Sequence, residues 1–282
     1  MYNFLKKGGL IIVAFSFFAC SDGDMLGFFV SQSGGVDNRT EYSLLQNSET
    51  GVQIFTTESE TYTLCLVGDT HIGNAENILK MEQIVRDSVM AIIILGDIST
   101  GKESDMLIAA DFVNNSPTPV VTLIGNHDLF FNGWELFKKL FGSSVFYFEV
   151  HTPSAKDLHI CLDSGNGMLG KKQYDWLQNV LKTKRGTYRH CVVYTHVNLF
   201  RTNHSQLGSA NMPLEETYQL MHLLSSNHVN FVFMGHDHYR EELTQNQVRY
   251  ITLDALSNEK ITQPSYVILS VNEAIHYQFE DL

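Results

Sequence analysis

The chain has 282 residues, 44% hydrophobic, 18% charged and 11% aromatic, a composition that excludes a disordered or collagen-like protein. Nineteen Lys and Arg against thirty-one Asp and Glu give a net charge of −12, which argues against a nucleic-acid partner. A local basic excess (Lys171, Lys172, Lys182, Lys184, Arg185, Arg189) reads as the solvated face of a helix and the turn after it.

At the N-terminus, Lys6 and Lys7 precede the apolar run Leu10–Ala19, which is too short to span a bilayer and of the length of a signal-peptide core. Ala19 is followed at once by Cys20, so residues 1–19 resemble a bacterial lipoprotein signal, with Cys20 as the acylated first residue of the mature chain. That resemblance implies a lipid anchor in the cell envelope. Residues 20–59 read as a tether running into one or two edge strands (Phe28–Val30, Val52–Phe55), and residues 60–282 as one catalytic domain. Cys65, Cys161 and Cys191 each sit in an apolar run, as buried reduced thiols do.

From residue 60 the pattern alternates. Apolar, β-branched runs predict strands at Tyr62–Val67, Ala91–Leu95, Val120–Ile124, His159–Leu162, Cys191–Tyr194 and Phe231–Met234. Helical spacing falls between them at Ala75–Ser88, Ser104–Asn114, Trp134–Phe141, Lys172–Lys182 and Leu214–Ser226. The tail, Glu241–Phe279, changes to strands and turns. The alternation implies a largely parallel buried sheet, and the tail a second sheet packed on it, in one α/β domain.

The residues just after the strands carry the chemistry. The runs end in Gly68-Asp69-Thr70-His71, Gly96-Asp97, Gly125-Asn126-His127-Asp128, Thr195-His196 and Gly235-His236-Asp237-His238. In open α/β sheets the carboxyl ends of the strands form the ligand-binding crevice. Seven side chains there are candidate metal ligands: Asp69, His71, Asp97, Asn126, His196, His236 and His238. One ion rarely takes more than six, and a mixed N/O set without thiolate suits two divalent ions of the Mn, Fe or Zn type. Each motif alone is weak; five in succession, all at strand ends, are not. Asn198, Arg201 and Tyr239 are near enough in sequence to these loops to touch a substrate. The other histidines (His151, His159, His190, His204, His222, His228, His276) read as ordinary polar residues.

The order Asp-x-His, Gly-Asp, Gly-Asn-His-Asp, His, Gly-His-x-His resembles the calcineurin-like metallophosphoesterase superfamily, as does Leu162-Asp163-Ser164 with Gly170, Gln173 and Trp176-Leu177. The resemblance implies two packed mixed β-sheets flanked by helices. It also implies one ion on Asp69, His71, Asp97 and His238, and a second on Asp97, Asn126, His196 and His236, with Asp97 as bridge. His127 would protonate the leaving group, and Asp128 would orient it. Asp97 is followed by Ile-Ser-Thr-Gly without the second acid and arginine of the superfamily's protein phosphatases, and Asp128 stands where those have Glu. Both departures argue against a protein phosphatase.

The implied activity is hydrolysis of a phosphomonoester or phosphodiester by metal-activated water. The substrate is a phosphate-ester small molecule or a lipid headgroup, with cyclic nucleotides, nucleotide pyrophosphates and sugar phosphates all compatible with the site. A reading from another class is a surface binding module that keeps fold and metals without turnover; the complete ligand set argues against it.

Overall fold

The structure is a computed structural model that describes residues 34–73, 75–201, 212–258 and 263–282. The expected signal segment, the expected acylation site Cys20, the strand expected at Phe28–Val30 and His204 lie outside the described residues.

Helix α1 (Val36–Thr50) leads into strand β1 (Gln53–Thr56) and β2 (Tyr62–Val67). Three helix–strand units come next: α2 (Glu76–Val85) with β3 (Ala91–Ile94), α3 (Glu103–Asn115) with β4 (Val120–Thr122), and α4 (Gly133–Leu140) with β5 (Phe146–His151). After them stand β6 (Lys156–Cys161), α5 (Gly170–Lys184), β7 (Cys191–Thr195), α6 (Leu214–Ser226) and β8 (Phe231–Met234). Four strands close the chain: β9 (Glu241–Gln245), β10 (Val248–Thr252), β11 (Ser265–Val271) and β12 (Ile275–Asp281).

The strands form two mixed sheets, one ordered β1-β5-β6-β7-β8-β10-β9 and the other β12-β11-β2-β3-β4. Leu64, Leu66, Val192, Phe233 and Val267 belong to the buried layer between them. The five-stranded sheet packs its outer face on α2, α3 and α4 through Ile92, Met81, Phe112 and Phe137. The seven-stranded sheet packs on α5 and α6 through Val193, Leu177 and Leu224. The result is four layers, helix–sheet–sheet–helix, as expected.

The distribution of strands between the sheets differs from the sequence reading. The alternating strands do not make one parallel sheet with the tail as another. β2, β3 and β4 run parallel in one sheet, and β6, β7 and β8 parallel in the other. The tail is divided: β10 pairs with β8, and β11 with β2. A βαβ pattern specifies parallel neighbours but not which sheet a unit joins, since both offer the same kind of apolar burial.

The tether reading is also corrected over residues 36–50, which form α1. Its buried face is Val36, Arg39, Thr40 and Ser43. That is the right spacing for a helix stripe, but three of the four are polar, so hydropathy does not reveal it. Arg39 is fully buried and holds Asp163 through two bonds of 2.7 and 2.8 Å. Ser43 Oγ accepts from the amide of Ser144 at 3.0 Å.

Much of the local basic excess lies in surface pairs. Lys171 pairs with Asp175 and Lys172 with Glu41, while Arg185 donates to the His228 carbonyl. Cys65, Cys161 and Cys191 are buried free thiols, and burial pushes each thiol upward in pKa.

Candidate metal centre

Five strands from both sheets deliver their terminal residues to one place. β2, β3 and β4 bring Asp69, His71, Asp97 and Asn126; β7 and β8 bring His196, His236 and His238. The local backbone is bent to do so. Asp69, His71, Asp97, His236 and His238 all adopt positive φ, between 41° and 74°. These are half of the ten such non-glycine residues among those described. Left-handed backbone disfavours most side chains, though Asp and His tolerate it better, and it concentrates where function requires a fixed geometry. Gly125 permits the closest approach: a Cβ there would lie 2.1 Å from the Asp97 amide nitrogen and from its Oδ1.

All seven candidate ligands converge. Asp69, His71 and His238 form one group, and Asp97, His196 and His236 another, with the ligand atoms of each within 4.8 Å of one another. In the first, His238 Nε2 is 3.1 Å from Asp69 Oδ1 and 3.4 Å from His71 Nε2. In the second, Asn126 Oδ1 lies 3.0 Å from His196 Nε2 and 2.9 Å from His236 Nδ1. Asp97 stands between them: its Oδ2 is 3.8 Å from His71 Nε2, and its Oδ1 is 3.4 Å from His196 Nε2. The two oxygens of one carboxylate thus face the two groups.

The donor set fits divalent metal. His196 Nδ1 donates to the Leu95 carbonyl at 2.9 Å, which orients its Nε2 toward the centre as in many metal-binding histidines. His71 and His238 are buried with no hydrogen-bond partner at Nδ1. Without a cation, burial pushes His71 and His236 down to about 4. Burial also works against a charged His196, but the carboxylates of Asp97 and then Asp69 outweigh it and raise its pKa to about 10. For Asp97, burial alone would raise the carboxyl; the imidazoles of His196 and His127 instead hold it well below the usual range. A centre with two buried carboxylates draws positive charge, supplied by a proton on His196 or by a metal in its place.

His127 sits at the edge of the same centre. Its Nε2 is 3.9 Å from Asp97 Oδ2, and its amide donates to Asp97 Oδ1 at 2.8 Å. The ring packs at 4.5 Å from that of His71 and 4.6 Å from Phe130. Asp128, expected to orient His127, is fully buried beside it in the chain. Its carboxylate accepts from the amides of Ile98, Ser99 and Gly125 and from the Ser99 hydroxyl, at 3.0–3.2 Å. It therefore clamps the turn after β3 to the turn after β4, and it positions His127 by fixing the backbone from which that ring projects.

Motif order does not identify the other supporting residues. Ser164 Oγ accepts from the Val197 amide and the Thr195 hydroxyl, both at 2.8 Å, and so braces both sides of His196. Asp163, next to it, is held by Arg39, and its amide donates to Gln173. Asp237 is drawn toward Arg201, with Arg201 Nε at 2.7 Å, and also accepts from Asn198; this ties the turn after β8 to the turn after β7. For Asp163 and Ser164 the available signal is Leu-Asp-Ser at a strand end. Asn198 and Arg201 have no signal in the sequence beyond their closeness to a ligand.

The two-sheet sandwich sets a histidine–carboxylate cluster able to hold metal at the ends of its strands. Residues 62–240 match the sequence profile of the calcineurin-like phosphoesterases, and the chain belongs to that family. No curated protein matches the sequence. Among solved structures, the fold is similar to a dimetal phosphatase from Danio rerio (TM-score 0.59, 15% identity, covering 78% of this chain and 98% of that one). It is also similar to GAP50, the anchor in the inner membrane complex of Plasmodium (0.58, 14%, 78% and 84%). A third is a purple acid phosphatase from yellow lupin, Lupinus luteus (0.56, 12%, 80% of this chain and 52% of that one). At these identities the likeness is one of fold.

Proposed function

We propose that the protein hydrolyses phosphomonoesters or phosphodiesters at a dinuclear centre, with Asp69, His71, Asp97 and His238 holding one divalent ion of the Mn, Fe or Zn type and Asp97, Asn126, His196 and His236 the other. The observation that carries this reading is Asp97, whose two oxygens face the two ligand groups. Ions at about 3.5–4 Å separation repel, and a carboxylate between them offsets that repulsion. When bound, such ions offset charge on the phosphoryl oxygens and lower the pKa of the attacking water.

The chain's own groups do the rest. The clamp made by Asp128 and the braces made by Ser164 and Asp237 keep the ligands in one arrangement, so little reorganisation is needed at reaction. His127, at the rim beside Asp97, carries a proton at Nε2 that it gives to the departing alkoxide. Its packing against Phe130 and His71 limits ring rotation. For location we propose the cell envelope, with the chain held by acylated Cys20 and residues 21–33 joining the anchor to α1; two acyl chains suffice for stable attachment. Among the described residues no helix is long and apolar enough to cross a membrane.

The test is turnover of bis-p-nitrophenyl phosphate and p-nitrophenyl phosphate with added Mn²⁺, with metal analysis of wild type and Asp97→Ala. The wild type should hold two ions and turn over; Asp97→Ala should lose at least one ion and nearly all activity. A variant with two ions and full turnover would remove the bridging role. A wild type that binds metal but hydrolyses neither ester would favour the binding-module reading.

A further inference from the structure

Helix α1 (Val36–Thr50) lies outside residues 62–240, the span that matches the family profile. It is seated on the domain by polar contacts along its length. In its first turn Asp37 Oδ1 accepts from the Lys172 amide at 2.8 Å, and in its last turn Asn47 Nδ2 donates to the Val145 carbonyl at 2.7 Å. Between them Arg39, fully buried, donates from Nε and Nη2 to the two oxygens of Asp163. A forked guanidinium–carboxylate pair fixes orientation as well as distance. Burying an ion pair adds little stability over apolar packing of the same volume, so its value lies in what it holds in place.

Asp163 leads from α1 to the metal centre. Its Oδ2 also accepts from the Ser144 hydroxyl at 2.8 Å, and its Oδ1 from the Gly165 amide at 3.2 Å. Gln173 accepts from the Asp163 amide and donates to the Asp163 carbonyl, each at 2.8 Å. The turn at residues 163–165 is thereby fixed, and ligands of one proposed ion rest on it. Ser164 Oγ accepts from Thr195 and Val197, on either side of His196. Gly165 lies so close to the turn after β4 that a Cβ on it would be 2.9 Å from the carbonyl oxygen of Gly125, the residue before Asn126. The Gly235 amide, just before His236, donates to the His196 carbonyl at 2.9 Å. Asn126, His196 and His236 thus share one support. Asp69 and His71 lie on the turn after β2, which is tied elsewhere: the Leu256 amide donates to the Gly68 carbonyl at 2.9 Å.

We propose that Arg39 is a positioning residue for the metal centre, acting through Asp163 and the turn at residues 163–165 on the ion held by Asp97, Asn126, His196 and His236. Helix α1, outside the family span, is then a working part of the site. This rests on the dinuclear phosphoesterase reading. Without the fork, Asp163 turns or recruits another donor, the Ser164 brace shifts, and His196 and Asn126 no longer meet at one point.

The experiment is a Mn²⁺ titration of metal-free full-length wild type and Arg39→Lys, followed by the paramagnetic resonance of free Mn²⁺. Lysine keeps the charge and most of the volume but cannot form the fork. Supports of metal ligands are typically worth 10–100-fold in affinity; Arg39 acts through one residue more, so the Kd of one ion should rise about 10-fold and that of the other less than about threefold. In a His236→Ala background, which keeps the Asp69, His71 and His238 group, Arg39→Lys should change Mn²⁺ affinity less than about threefold. Guanidinium added to Arg39→Ala should restore the lost affinity, and KCl at the same concentration should not. Equal weakening of both ions, or weakening of neither, overturns the proposal and leaves the phosphoesterase reading intact if the esters are hydrolysed. Selective weakening in a protein that hydrolyses neither ester upholds the positioning role and sinks the phosphoesterase reading alone. A wild type that takes up fewer than two ions removes the dinuclear reading and the proposal with it.

Discussion

The layer between the sheets and the carboxyl ends of the strands use buried histidine in opposite ways. Between the sheets, His159 is fully buried and stacks on Phe148 at 4.7 Å and on Tyr194 at 5.9 Å. Tyr62 donates to Asp157 at 3.0 Å, which assigns His159 Nε2 as donor to the Tyr62 oxygen (2.9 Å) and Nδ1 as acceptor from Tyr194 (2.9 Å). A neutral imidazole is thereby satisfied on both sides. Burial pushes its pKa down to about 3. At the carboxyl ends of the strands, His196 is equally buried, yet Asp97 and Asp69 overcome the burial and lift it to about 10. Burial alone therefore does not fix a histidine's charge: it lowers His71 and His236 at the strand ends as it lowers His159, and at His196 two carboxylates override it. The strand ends pair buried imidazoles with two carboxylates and positive-φ backbone.

This contrast fails most severely if His127 proves dispensable. His127→Ala should lower turnover by about 10²–10⁴ with metal content unchanged, and less for p-nitrophenyl esters, whose leaving group hardly needs a proton. Steady-state kinetics on an activated and an unactivated ester decide this; an equal loss on both would count against the acid role.

Next in size is the brace behind the site. Arg39→Ala strands the Asp163 carboxylate in the interior, and removing one partner of a buried pair costs about 3–5 kcal/mol. Denaturant unfolding should show that loss, and a change under about 1 kcal/mol would mean that α1 is not fastened by this contact. His159→Ala should behave similarly, costing about 3 kcal/mol for lost aromatic packing and the Tyr194 hydroxyl left without its acceptor, while leaving metal content near normal. An effect on stability without one on metal binding is what separates the two regions.

Acid makes the difference measurable in a second way. His159 ionises far more readily unfolded (about 6.5) than folded (about 3), so its contribution is complete above pH 6.5 and lost as the pH falls toward 3. The slope is up to about 1.4 kcal/mol per pH unit. The dependence of unfolding free energy on pH, measured from about 6.5 down to about 4, should flatten by about one proton in His159→Asn.

The smallest effect concerns His196. Its proton must leave before Nε2 can hold a cation, so Mn²⁺ loading near neutral pH should release about one proton, and affinity should rise with pH. Calorimetry in buffers of differing ionisation enthalpy measures this, and zero release would mean that His196 is already neutral without metal.

The motif residues are legible because each of the five strands ends in a short polar signature, so placing the strands also places the ligands. The helices α2 to α6 are legible because each buries an apolar stripe. Helix α1 is not, since three of its four buried residues, Arg39, Thr40 and Ser43, are polar, and two of them are held by bonds to Asp163 and Ser144. Nor is the work of Asp128 legible, because its donors are three backbone amides and the Ser99 hydroxyl. The pairing of β3 with β4 brings them near.

Local patterns along the chain were thus enough for the elements with apolar periodicity, the candidate ligand set and the family resemblance. The division of the strands between two sheets came from the folded chain, because both sheets offer equivalent apolar burial. So did the fate of the buried polar groups, some satisfied and some not, as the contrast between His159 and the Nδ1 atoms of His71 and His238 shows. Their partners lie far apart in sequence, and a hydrogen bond depends on where the atoms meet in space.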